Sequence, residues 1–286
     1  GRSSSPSLST ISPLLVFVLS QALGPSRKRP FGMDLFAEEE EDHRRERRPS
    51  NCGVMRFHAG TEEEMLLAAM ASEDAVAAID DFCERRHWMM HVGPEKREIL
   101  LEALRQKLAE KRDVVACEFG SYCGYSALAM GRELRRGDRL YSFDVGTCDV
   151  ARKLITHAHL DDKVFFLQAE AKRAKNLLLQ SAHGVGERRR SSDEEENTFS
   201  KVDFLFVDHD KDRYLSDLKL LEPVLNPGAV VVADNVKVFR IDDYLAHVRD
   251  PRGPFSSSTF HPASLEYSDG AVDDGVEVSV FRGGGP

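Results

Sequence analysis

Two stretches of the chain carry side chains whose types and spacing could do chemistry. Residues 202–214 read VDFLFVDHDKDRY. The apolar run Val202, Phe204, Leu205, Phe206 and Val207 ends in Asp208, His209, Asp210, Lys211, Asp212 and Arg213. Residues 229–235 repeat the pattern, with AVVVA followed by Asp234 and Asn235. Runs apolar on both faces read as central strands of a parallel sheet. Open α/β sheets bind ligands just beyond the carboxyl ends of such strands. Two neighbouring strands would bring two carboxylates and an amide oxygen to one point, a donor set suited to a hard cation. A blander reading makes Asp208 and Asp234 helix N-caps, a position that Asp prefers, and Lys211 a solvated charge at a helix start.

Residues 117–126, CEFGSYCGYS, set glycines at a strand-to-helix turn. Glycine there lets the backbone approach a ligand, and the helix N-terminus offers free N–H groups. The spacing E-x-G-x-x-x-G is neither the dinucleotide G-x-G-x-x-G nor the GxxxxGK[ST] loop. A dinucleotide-dependent oxidoreductase and a triphosphate site are therefore disfavoured. Asp144 ends the next strand, where a carboxylate can accept both ribose hydroxyls of a nucleoside. Loop and carboxylate together point to a nucleoside ligand; the loop alone also reads as a tight structural turn.

The elements that position these residues alternate. Thr61 with Glu64 resembles a capping box opening a first helix. Val76, Ile79, Phe82 and Cys83 share one face of a second helix, and Pro94 suits the start of a third carrying Ile99, Leu100, Leu104 and Leu108. Strands are expected at 114–119, 139–145, 164–168, 202–208 and 229–234, with helices near 125–135, 148–160, 171–183 and 213–225. This is an α/β pattern: a Rossmann-like, mostly parallel sheet with helices on both faces and right-handed crossovers. Residues 256–267 and 276–281 alternate apolar and polar, as an antiparallel hairpin at one side of the sheet.

Residues 1–60 are expected to be a disordered extension, 61–283 the folded domain, 184–200 a polar surface loop within it, and 284–286 a tail. The short apolar run at 14–19 (LLVFVL) falls well below the roughly 20 residues that span a bilayer. It reads as a signal-sequence core, as a truncated anchor, or as part of a disordered extension upstream of Met33. A net charge of −9 gives no field for recruiting nucleic acid or an anionic membrane. Five cysteines without a CxxC pair argue against a zinc site and a disulfide framework, and favour a reducing, cytoplasmic location. The N-terminal run leaves membrane anchoring or secretion as the alternative.

Several longer motifs carry a resemblance: WMMHVG (88–93), CEFGSYCGYS (117–126), VDHDKDRYLSDLKLLE (207–222), VVADNV (231–236), DYLAHVR (243–249) and SLEY (264–267). From about residue 61 to 283 the chain resembles the catechol O-methyltransferase family of class I S-adenosylmethionine-dependent methyltransferases. The resemblance implies a seven-stranded sheet whose last strand is antiparallel. It implies that Val92, Glu118, Gly120, Tyr122 and Ser126 surround the methionine part of the cofactor, and that Asp144, followed by Val145, takes the ribose. Glu170 would lie beside the adenine, and Asp208 and His209 against the cofactor. Asp208, Asp234 and Asn235 would bind Mg²⁺, Lys211 would be the base, Glu266 would hold the second substrate hydroxyl, and Trp88 would wall the substrate pocket. The implied partner is a small-molecule catechol, handled by a monomer.

The chain departs from the family at Asp144 (Glu in the family), Glu170 (Ser), Asp210 (Trp), Phe239 (Pro) and His91 (Asn). Trp88, His91 and His209 also read as plain structural residues. The departures, with the unassigned segments, support a second reading: a catalytically weak member that serves as a binding or scaffold protein.

Overall fold

A computed structural model describes residues 60–181, 201–268, 270 and 272–283. The apolar run at 14–19, the 184–200 loop and the last three residues lie outside them. The architecture is built outward from β4 (Val202–Val207), which is buried at every position. A strand dry on both faces needs a strand on each side and helices above and below. β1 (Val115–Phe119), β2 (Arg139–Asp144), β3 (Val164–Gln168) and β5 (Leu225–Ala233) supply the parallel neighbours. β7 (Asp273–Phe281) then runs antiparallel to both β5 and β6 (Phe255–Ser264). The sheet order is β3-β2-β1-β4-β5-β7-β6. The expected mostly parallel sheet with an antiparallel C-terminal strand is what forms.

Successive strand residues face opposite ways, and two cores follow. Phe204 and Phe206 pack with Met65, Ile79, Leu104, Leu128 and Leu154. Those side chains come from α1 (Thr61–Met70), α2 (Ala75–Arg85), α3 (Gly93–Glu110), α4 (Tyr125–Glu133) and α5 (Asp149–His157). Leu205 and Val207 pack on the other face with Leu178, Leu218 and Tyr244. Those belong to α6 (Ala171–Ser181), α7 (Tyr214–Leu221) and α8 (Asp242–Val248). The expected capping box is absent: α1 is capped by Gly60, at φ 98, and Thr61 is its first, buried residue. The second helix is capped instead by Asp74, which accepts from the amides of Val76 and Ala77.

The strands end on one level. Phe119, Val207 and Ala233 are in register across β1, β4 and β5. Just past them, the amides of Gly120, Asp208 and Asp234 donate to Phe143, Phe119 and Val207 at 2.9, 2.8 and 3.1 Å. Gly120, Asp144, Asp208 and Asp234 thus share one rim, and the chain reverses its direction across the sheet between β1 and β4. That reversal is where an open α/β sheet opens a crevice. Gly120 sits at φ 105, and a Cβ there would lie 2.4 Å from the Asp208 carbonyl oxygen, so only glycine lets the two rims close.

Candidate active site

Asp208 and Asp234 leave adjacent strands, and each meets an ammonium. Lys211, in a 3₁₀ turn (Lys211–Arg213), places Nζ 2.7 Å from Asp208 Oδ1 and 2.8 Å from the Tyr214 hydroxyl. Tyr214 in turn donates to the Asp234 carbonyl oxygen at 3.2 Å. The Lys211 ammonium also lies 5.0 Å from the Tyr214 ring centre and 5.7 Å from that of Phe239, within cation–π reach. Neither aspartate is a helix cap. That task falls to Asp210, which accepts from the Asp212 amide at 3.2 Å and opens the 3₁₀ turn.

The second ammonium is Lys96, from the first turns of α3, with none of its surface exposed. It lies 2.9 and 3.0 Å from the two carboxylate oxygens of Asp234, 2.7 Å from Glu266 Oε2 and 3.1 Å from Asp274 Oδ2. Burial works against its charge, but the three carboxylates outweigh it and hold the group well above the usual lysine range. Burial, with Asp208, Glu266 and Asp274 as like charges, pushes Asp234 up against the pull of Lys96. Asn235, in the left-handed region at φ 55, donates its Nδ2 to Asp274 Oδ2 at 2.8 Å. Asp274 Oδ1 accepts from the Val238 amide at 3.2 Å. Trp88 is half-buried against Leu265, and its Nε1 donates to the Glu266 carbonyl at 3.2 Å.

Across the rim, Glu118 is fully buried and accepts from the hydroxyls of Ser126 and Ser142. Burial pushes its carboxyl up to about 7; the two hydroxyls pull it down, and Asp208 and Asp144 push it further up. Asp144 accepts the amides of Tyr122 at 2.9 Å and Gly146 at 2.8 Å, which folds the glycine loop over its strand end. Val92 caps α3 and is buried. His91 beside it is buried and stacked on Tyr125, with centroids 5.0 Å apart. Burial lowers it to about 3, so the imidazole is neutral, and Nε2 has no partner among the described residues. His209 stacks on Tyr214 with Nε2 2.9 Å from Asp217 Oδ2; its buried Nδ1 also lacks a partner among them. Both ring nitrogens are thus buried without a partner among the described residues.

The remaining sequence candidates are peripheral. Val145 is 76% exposed, and the Glu170 side chain is open to solvent 3.6 Å from Arg213. Two residues of the carboxylate cluster, Lys96 and Asp274, are not among the sequence candidates. Lys96 left a trace: it continues the i, i+4 row Leu100, Leu104 and Leu108, a charge on the buried stripe of a helix. Asp274 lies in a turn-rich stretch whose pattern gives no sign of burial.

Known proteins fit this arrangement. Residues 117–236 match a methyltransferase domain family. The chain is 35% identical over 215 residues to catechol O-methyltransferase B of Danio rerio, covering 74% of this chain and 73% of that one. It is 33% identical over 238 residues to catechol O-methyltransferase of Mus musculus, covering 79% and 81%. The chain belongs to the catechol O-methyltransferase-like family. It is thus a class I S-adenosylmethionine-dependent O-methyltransferase. The fold agrees: an O-methyltransferase of Bacillus cereus in complex with SAH superposes with a TM-score of 0.53 at 20% identity, covering 80% of this chain and 93% of that one. Among the described residues of this catechol O-methyltransferase-like chain, no group of three or more His, Cys, Asp or Glu side chains is arranged to hold a metal. The carboxylates of the rim are turned instead to Lys96 and Lys211, and the third expected donor is an amide. Among the same residues, no helix is long and apolar enough to cross a membrane.

Proposed function

We propose that the chain transfers a methyl group from S-adenosylmethionine to one hydroxyl of a catechol, with Mg²⁺ held by Asp208, Asp234 and Asn235 and with Lys211 as the base. The observation that carries this reading is the charge balance of the rim. Among the described residues, the cationic side chains that pair with Asp208, Asp234, Glu266 and Asp274 are Lys96 and Lys211. Carboxylates gathered in a largely buried place are costly, and a divalent cation would offset that cost. The donor chemistry also fits, because carboxylate and amide oxygens suit a hard cation. Asn235 gives its NH₂ to Asp274, which leaves its carbonyl oxygen for a ligand. Bound there, the cation would supply Lewis acidity that lowers the pKa of a coordinated hydroxyl.

The chain's own residues do the rest. Lys211 acts as the base in its neutral amine form, after giving its own proton to solvent, and so can take the proton of the attacking hydroxyl; Glu266, fixed through Oε2 by Lys96, holds the other hydroxyl. Trp88 and Leu265 offer an apolar wall to an aromatic ring. Val92, Glu118, Gly120, Tyr122 and Ser126 hold the methionine end of the cofactor. Asp144 takes the ribose with the lone pairs left after its two amide bonds. Val145 follows Asp144 in the cofactor site, Glu170 lies beside the adenine, and Asp208 and His209 lie against the cofactor. Methyl transfer then depends on holding hydroxyl, methyl and sulfur in line. The catechol O-methyltransferases among its relatives support the substrate class.

The test is methyl transfer by the purified full chain from labelled cofactor to a panel of catechols and monophenols. Catechols are expected to be methylated, with activity lost to a chelator and restored by Mg²⁺. Asp234→Ala is expected to be at least about a hundredfold slower. Transfer indifferent to the chelator, or equal rates on monophenols, would overturn the reading.

A further inference from the structure

Lys96 is the least expected group of the rim: an ammonium without exposed surface, reaching from α3 to three separate parts of the chain. Its partners are Asp234 at the end of β5, Glu266 in the turn after β6, and Asp274 at the start of β7. An ammonium has three N–H donors, and these three carboxylates use them all. None is left for a substrate. Burying charges costs desolvation, and buried ion clusters can often be replaced by apolar side chains without loss of stability. The value of such a cluster lies in placement.

The surroundings agree. A Cβ on Gly93, at φ 70, would lie 2.7 Å from Glu266 Cβ, so the start of α3 is packed hard against the residue that Lys96 binds. Asp274 divides its oxygens. Oδ1 takes the Val238 amide at 3.2 Å, while Oδ2 takes Lys96 at 3.1 Å and Asn235 Nδ2 at 2.8 Å. A carboxylate accepts only, so it settles which half of the Asn235 amide faces it.

We propose that Lys96 and Asp274 are positioning residues of the reaction site: Lys96 fixes the spacing of Asp234 and Glu266, and Asp274 sets the orientation of the Asn235 amide. This rests on the catechol and cation reading above. In that reading Lys96 ties the cation side of the site to the hydroxyl-holding side, and Asp274 joins both to β7. Neither residue touches the reacting atoms.

The test uses the full chain, Mn²⁺ as a spectroscopic probe of cation binding, S-adenosylhomocysteine binding by calorimetry, and steady-state kinetics on a catechol. Asp274→Asn puts a second NH₂ against Asn235. It is expected to weaken Mn²⁺ binding by about tenfold or more, with S-adenosylhomocysteine affinity unchanged. Lys96→Met is expected to raise KM for the catechol by about tenfold through loss of the Glu266 tether, again with cofactor affinity unchanged. A merely structural role would instead lower Mn²⁺ affinity, cofactor affinity and melting temperature in parallel, and that result would overturn the proposal. So would folded variants with unchanged Mn²⁺ affinity and KM. If Lys96→Met does not fold, the nearly isosteric Asp274→Asn decides. Failure of the wild-type chain to bind Mn²⁺ would instead overturn the cation reading itself, and Asp274's role with it.

Discussion

Glu118 sits in a fully buried pocket with two serine hydroxyls as its donors, and burial moves its carboxyl from an ordinary value of 4.5 up to about 7. The folded chain therefore holds this proton over a window in which the unfolded chain has released it. The stabilisation is complete below about 4.5 and is lost as pH rises to about 7. A shift of this size corresponds to roughly 3 kcal/mol. Urea unfolding of the free protein is expected to show stability falling from pH 5 to pH 7.5, and Glu118→Gln is expected to flatten that slope. An equally steep slope in the variant would show that other groups carry it. Lys211→Ala, by contrast, is expected to lower kcat by about 10²–10⁴, the usual worth of a general base. Kinetics at saturating cofactor would check this. Residues of this kind differ in how openly the sequence displays them. Asp208, Asp234 and Asn235 stand at the ends of apolar strands, where position alone suggests a role. Lys96 and Asp274 acquire theirs from partners more than a hundred and thirty and about forty residues away respectively, a relation that local pattern does not carry. His91 is similar: its nitrogen is unpaired among the described residues because the ring is buried against Tyr125 at the start of α4.

At the scale of elements, the turn after β1 does more than bend. Gly120 occupies a left-handed conformation and packs against the Asp208 backbone. An added methyl group meets that backbone head-on and forces the β1 and β4 rims apart. Gly120→Ala is expected to cost about 1–3 kcal/mol and to abolish S-adenosylhomocysteine binding, measured by denaturation and calorimetry on the same preparation. Binding at wild-type affinity would show that the rims need not close. The alternation of strands and helices was legible because each strand's apolar run and each helix's period are local signals. The order of the last two strands was not. Both halves of the hairpin alternate, but β7 takes the inner place, paired to β5, while β6 forms the edge of the sheet. The clues were chemical rather than periodic: Ser256, Ser257, Ser258 and Pro262 lie in β6, and proline is tolerated on an edge strand. The cap of α1 failed as an expectation because Gly60, in the left-handed conformation, takes the N-cap position, and Thr61 becomes the first, buried residue of the helix.

At the scale of the whole molecule, the rim of the sheet joins both cores. Asp208 and Asp234 continue strands that carry Phe204 and Phe206 into one core and Leu205 and Val231 into the other. A cation bound at the rim should therefore stabilise the entire fold, not a loop. At a concentration about a hundred times Kd it would add about 2.7 kcal/mol. For a chain of this size that raises Tm by roughly 5–10 °C. The chain's net charge of −9 makes a control necessary, since any salt relieves some general repulsion. The comparison is Mg²⁺ against NaCl at equal ionic strength, by calorimetry, on the wild-type chain and on Asp234→Ala. The wild type is expected to gain several degrees with Mg²⁺ beyond the NaCl effect, and the variant is expected to respond alike to both salts. Equal responses in the wild type would mean that the four carboxylates are balanced by Lys96 and Lys211 with bulk solvent alone. The measurement needs no substrate, so it separates cation binding from the choice of catechol.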